Sequence, residues 1–126
     1  MTGLVDKSGG TGYGLNISIA STDPKTADSL CKAMTEVAEW ITATAGCFLG
    51  HVKIAITTET RTTTFNLTDL DTGVERHDAI PEGVHADVRF MAAVVDVDKN
   101  ELAEKMNAAL ATNGFKVNKR GIIELR

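Results

Sequence analysis

The chain has 126 residues, 43% of them hydrophobic and 24% charged, which suits one globular domain that buries roughly two-thirds of its unfolded surface and leaves little room for a second. Its 13 basic and 17 acidic residues give a formal charge of -4, so there is no cation excess to neutralise the phosphates of DNA or RNA and no nucleic-acid partner is expected. No apolar run approaches the roughly 18 residues of a membrane span, and Met1 to Tyr13 lacks the apolar stretch of a signal peptide, so the expectation is a cytoplasmic chain with no membrane partner and with Cys31 and Cys47 reduced.

The opening run, MTGLVDKSGGTGYG, is rich in glycine and poor in apolar residues. It reads as a flexible arm over residues 1–13 ahead of a single α+β domain over 14–126. Within it GGTGYG lacks the GK[ST] ending of a phosphate loop and precedes a strand, whereas such loops follow one. An arm is the reading, and a glycine arm closing over a ligand is the alternative.

LNISIA then alternates, with Leu15, Ile17 and Ile19 on one side and Asn16, Ser18 and Ala20 on the other, the period of a half-buried strand. In STDPKTADSL, Asp23 suits a helix N-cap and Pro24 the first helical position. Ala27, Leu30, Cys31, Met34, Val37, Ala38, Ile41 and Ala45 make one apolar stripe, and Gly46 closes the helix. Trp40 sits beside the stripe, as a core-edge aromatic or a subunit contact. A second strand from about His51 puts Val52, Ile54 and Ile56 on one face and His51, Lys53 and Ala55 on the other.

Arg61 to Thr68 is a threonine-rich strand. Asp69 to Glu75 has alternating acids, but its glycine falls one place early for a calcium loop and Ile80 stands where the bidentate glutamate belongs, so Asp71 to Gly73 reads as a hairpin turn. Val74 to Ala79 is open between a return strand and a loop, and IPEGVH is a loop. ADVRFMAAVVDV is a long strand, nearly all apolar from Phe90, expected at the sheet centre with its second half buried on both faces. Asp98 with Glu101 forms a capping-box start to a second helix with Leu102, Met106, Ala109 and Leu110 inward. Gly114 stops it, Phe115 folds back on the last turn, and GIIELR is a final strand.

This order predicts an α+β fold of the ferredoxin-like, split βαβ kind: an antiparallel sheet with two helices on one face and an extra hairpin strand. The opposite face is then open unless a ligand or partner covers it.

Cys47 and His51 are four apart, the spacing of two metal ligands on one helix, but Gly46 and Gly50 break the helix between strand and stripe. No metal site is expected there; Cys47 reads as a buried structural cysteine beside a corner histidine, and neither a Cys-His nucleophile nor a serine triad has its surrounding motif. Strand parity points elsewhere. If the apolar rows face the helices, Asn16, Ser18, His51, Lys53, Asp87, Arg89 and Met91 face away. The candidate ligand-binding residues are therefore Asn16, His51, Lys53 and Arg89, which suit a small anion, while the same face suits a second sheet across a dimer axis or bare solvent. No cofactor is assigned by any of these residues.

The run GCFLGHVKIAI at a helix-to-strand junction, the threonine-rich strand and FMAAVVDVDKNELAEKMNAAL together resemble, over roughly Ala38 to Leu110, the C-terminal accessory domain of the cobalamin-synthesis-protein-W type of metallochaperone GTPase. The resemblance implies an α+β module beside a GTPase domain that regulates or engages a target protein. Neither a Walker A sequence nor a CxCC motif is present in this chain, so it implies the accessory module alone, with Gly50, His51 and Lys53 as matching positions of no catalytic role. The leading expectation is a non-enzymatic binding or assembly module, accessory to a metal- or cofactor-handling system, with a second copy or another protein as partner. The alternative is a small ligand sensor or enzyme that uses His51, Lys53, Asp87 and Arg89 on the open face.

Overall fold

The computed structural model describes residues 10–48, 50–116 and 122–123. The elements are β1 (Gly10–Ile19), α1 (Thr26–Ala45), β2 (Gly50–Thr57), β3 (Thr62–Leu67), β4 (Glu75–His77), β5 (Ala86–Val95), α2 (Lys99–Thr112) and β6 (Ile122–Ile123). They form an α+β structure with one antiparallel sheet in the order β4-β3-β2-β5-β1-β6, in which β6, among the described residues, pairs at Gly14 and Leu15. β1 and β2 each run antiparallel to β5 on its two sides, so they are parallel to each other and joined through α1.

The period of two organises the core. Leu15 faces Phe90 and Ile17 faces Val88 on one side of β5, while Ile54 faces Phe90 and Ile56 faces Val88 on the other. Those side chains are buried in one cluster with Leu30, Met34, Val37 and Ile41 of α1 and Leu102, Met106 and Leu110 of α2. Each such side chain contributes about 1.5–3 kcal/mol on burial. Gly46 takes φ 87° at the end of α1 and donates its N–H to the Thr42 carbonyl at 2.9 Å. Asp98 Oδ2 accepts from the Glu101 N–H at 3.0 Å at the start of α2, and the Phe115 N–H returns to the Leu110 carbonyl at 3.0 Å.

The turn before α1 is clamped to residues 81–84. Thr22 is buried, yet its N–H donates to the Val84 carbonyl at 2.8 Å, its carbonyl accepts from Gly83 at 2.8 Å, and its hydroxyl donates to the Pro81 carbonyl at 2.5 Å. Every polar group of this buried residue is thereby partnered.

The expected boundaries shift in three places. Gly10 to Tyr13 belong to β1 instead of an arm: Gly10 pairs with Val95, Tyr13 is buried, and the Thr11 hydroxyl donates to the Val97 carbonyl at 2.7 Å. A strand partner already in place stabilises these glycines in extension despite their weak propensity. Residues 1–9 of the expected arm lie outside the described residues. α1 starts at Thr26, after a turn in which Asp23 Oδ1 accepts from the Lys25 N–H at 2.7 Å, so Asp23 caps that turn and Pro24 precedes the helix. The second half of β5 is buried on one face only, because Met91, Ala93 and Val95 point away from the helices and remain half-exposed. Of the expected strand GIIELR, Ile122–Ile123 is paired and the flanking residues lie outside the described residues.

Where β2 begins, the chain passes so close to β5 that only glycine fits. Gly50 has φ 126°, and a Cβ there would come 2.1 Å from the Ala93 carbonyl oxygen. Gly50→Ala is expected to lower unfolding free energy by about 2–4 kcal/mol, combining backbone strain with overpacking against main chain. Gly46→Ala, at φ 87° with nothing within 4 Å, is expected to cost only about 1–2 kcal/mol. Urea unfolding of the two variants checks the ranking, and equal losses would contradict it.

Candidate functional site

On the open face the hydrogen-bond register sets side chains into rows that cross the strands. Asn16, Arg89, Ala55, Thr64 and His77 form one row, and Gly14, Met91, Lys53, Asn66 and Glu75 form the next. Gly12, Ala93 and His51 follow, and at the opposite end Ser18, Asp87, Thr57 and Thr62 complete the surface. All four sequence-predicted residues therefore stand on this face.

They do not converge equally. Arg89 Nε donates to Asn16 Oδ1 at 3.4 Å, and Lys53, opposite Met91, is the diagonal neighbour of Arg89. Diagonal Cβ atoms on adjacent strands are about 7–8 Å apart, within reach of two long cationic side chains. Among the described residues no carboxylate pairs with Lys53 or Arg89. His51 is apart from this group. It faces Ala93 while Asp87 faces Thr57, so about 20 Å of strand separates the two as acid-base partners. Asp87 is engaged at its own end, accepting from Ser18 Oγ at 3.1 Å and lying 3.6 Å from His85 Nε2.

The beginning of β1 and the end of β5 give the face a second character. Gly10, Gly12 and Gly14 carry no side chains, and beside them Met91, Ala93 and Val95 form an apolar strip. On the far side of β5 stand His51 and Lys53. β1 brings no side chains of its own to one flank of the strip at these glycines, and β2 brings long polar side chains to the other.

The helix side holds a cluster that sequence reasoning missed. Arg76 of β4 faces Phe65, its guanidinium 5.8 Å from the ring centroid, and its Nη2 lies 2.7 Å from Asp28 Oδ1 on α1. The hydrogen bond to Asp28 pushes the Arg76 pKa further up. Cys31 borders the same group; burial raises its thiol pKa, with the Arg76 guanidinium pulling the other way. A parity signal existed, since a strand over Val74 to Ala79 that turned Glu75 and His77 outward would have turned Arg76 inward.

Cys47 is exposed and does not pack as a structural cysteine. Gly46 turns the chain out of the helix at that point, away from the stripe that buries Leu30 to Ile41. Among the described residues no three His, Cys, Asp or Glu side chains come together as metal ligands, and no helix is long and apolar enough to cross a membrane. Cavities of about 370, 580 and 290 Å³ border β4, α1 and the Thr57 to Glu59 turn, and none of these three is lined by Asn16, His51, Lys53 or Arg89.

No family model, curated protein or solved structure matches the chain. Its functional reading therefore rests on the residues and their placement.

The two thiols are expected to separate chemically. Exposed Cys47 should be alkylated first by iodoacetamide at neutral pH, while Cys31, half-buried and with its pKa raised, holds a smaller thiolate fraction and lags. The lag should shrink as pH rises through and beyond the ordinary thiol range. Peptide mass spectrometry of timed samples checks this, and equal rates at neutral pH would contradict it.

Proposed function

We propose that the chain is a non-enzymatic assembly module of ferredoxin-like, split βαβ design, with β3 and β4 as the added hairpin, and that a second copy covers its open sheet face. The strand order β6-β1-β5-β2 supports the fold reading, since two β-α-β units interleave through it. The observation that carries the function is the outward row of β5. Met91, Ala93 and Val95 complete an apolar run that the chain's own helices leave half-buried on its other face, a contiguous strip that a partner sheet would cover.

A second copy suits the glycine end of the strip, where the relief is complementary to itself, and leaves Arg89 and Asp87 each facing its own counterpart farther along β5. A two-fold axis along β5 lays Gly12 and Gly14 of one protomer over His51 and Lys53 of its partner, bare backbone against long side chains, on both sides of the axis. Met91 and Ala93 then meet their own counterparts in the centre. The scattered arrangement of His51 and Asp87 supports a contact role over acid-base chemistry.

Sedimentation velocity tests the reading. The chain is expected to sediment as a dimer at micromolar concentration, and Ala93→Glu or Gly12→Arg to sediment as a monomer with unchanged circular dichroism and a lower melting temperature, as loss of a stabilising association requires. A wild-type monomer, or dimers of both variants, would contradict it.

A second reading is favoured by one observation, the diagonal Lys53 and Arg89 with no carboxylate partner among the described residues. Here the face binds a small anion between the two cations. Inorganic phosphate should then raise the melting temperature of a monomeric wild-type chain and leave that of Lys53→Gln unchanged. A shift of the same size in both would contradict this second reading.

A further inference from the structure

The end of α2 is tied to α1 by the side chain of Asn113, the residue that caps the helix. Its Nδ2 donates to the Ala109 carbonyl at 2.7 Å and to Glu36 Oε2 of α1 at 3.1 Å. A carbonyl and an ionised carboxylate only accept, so both contacts exist because the side chain is an amide with two N–H donors. They also stand at the end of α2 where the helix dipole is negative.

The residue that follows makes this amide chemically vulnerable. Asparagine stands at positions 16, 66, 100, 107, 113 and 118, and of these position 113 alone is followed by glycine. A glycine has no side chain to shield its backbone nitrogen or to restrict its approach to the preceding side-chain carbonyl carbon. Gly114 is exposed at φ 91°, with nothing within 4 Å of the place a Cβ would take, and its N–H is held by one hydrogen bond, to the Ala111 carbonyl at 3.1 Å. Fraying of this last turn frees that nitrogen, and water reaches it from solvent.

We propose that Asn113 is a site of spontaneous covalent modification, at which deamidation through Gly114 undoes the tie between α2 and α1. The Gly114 nitrogen bonds to Asn113 Cγ, the Cγ–Nδ2 bond breaks, and Nδ2 leaves as ammonia with the proton that the Gly114 nitrogen gives up. Water then opens the cyclic imide at either of its carbonyls, which leaves an aspartate or an iso-aspartate at position 113. The aspartate sets a carboxylate where the amide donated. It faces the half-buried Glu36 carboxylate, the Ala109 carbonyl and the negative end of α2, so two attractions become repulsions. The iso-aspartate lengthens the main chain by one carbon and so displaces the Gly114 and Phe115 N–H groups from the Ala111 and Leu110 carbonyls. This chemistry belongs to the helix layer and does not depend on what covers the open face.

Two measurements test it. The full chain, incubated folded at mildly alkaline pH and sampled for peptide mass spectrometry, should exchange amide for acid at position 113 ahead of every other asparagine, with iso-aspartate among the products. Reaction at position 113 only in urea, or another asparagine reacting as fast, would overturn the site. At neutral pH, Asn113→Asp should melt about 5 °C below the wild-type chain, and Asn113→Ala, which loses the donors and adds no charge, should lose less. Glu36→Gln combined with Asn113→Asp should recover at least about half of the loss, because it removes the opposing charge. Wild-type melting of Asn113→Asp, an equal loss in Asn113→Ala, or no recovery with Glu36→Gln would overturn the loosening.

Discussion

β5 is paired on both sides, along all 10 of its residues by β1 and from Asp87 to Val94 by β2, and that double pairing fixes the rest of the molecule. Because side chains alternate with a period of two, a slip of one residue by β1 would turn Leu15 and Ile17 out of the core, and the same slip by β2 would turn out Ile54 and Ile56. The same register that buries those residues decides which side chains stand on the open face. Its tightest point is Gly50, where the main chain of β2 lies against the Ala93 carbonyl with no space for a side chain. Core and candidate surface are thus two sides of one alignment.

Much of this was legible in the sequence where the signals were local. LNISIA and HVKIAIT carry strong alternation, so their parity reads directly, and the placement of Asn16, His51, Lys53 and Arg89 on one face follows from it. Asp98, Glu101 and Gly114 mark the ends of α2 because capping depends on neighbours three residues apart or fewer. Less legible was whatever depends on a distant partner. Gly10 to Tyr13 carry little propensity of their own, and their extension comes from Val95 to Ala92 across the sheet. The apolar run from Phe90 reads as doubly buried by composition, yet only the positions of the helices decide which faces are covered. Arg76 was missed because its partners, Asp28 and Phe65, lie far away in sequence. Likewise the separation of His51 from Asp87 depends on register, which the parity of single strands does not reveal.

The molecule presents two surfaces of opposite chemistry. The open face combines an apolar strip with the cations Lys53 and Arg89 beside it, features suited to a sheet contact that is apolar along the strip and solvated at the cations. The helix side of β4 differs: there Arg76 pairs with Asp28 and lies over the Phe65 ring. Neither surface needs a catalytic group, and the two use different sides of the sheet.

The claim at the centre of this account is that the outward row of β5 is covered by a second copy, and Met91 reports on it directly. Met34 and Met106 are fully buried within the chain's own core, whereas Met91 is half-exposed on the open face. Timed oxidation by hydrogen peroxide, followed by peptide mass spectrometry, compares the three side chains in one sample. At high protein concentration Met91 should resist oxidation almost as Met34 and Met106 do, and on dilution or in the Ala93→Glu variant it should become the fastest of the three. A Met91 that oxidises at one rapid rate in concentrated, dilute and variant protein alike would contradict the account.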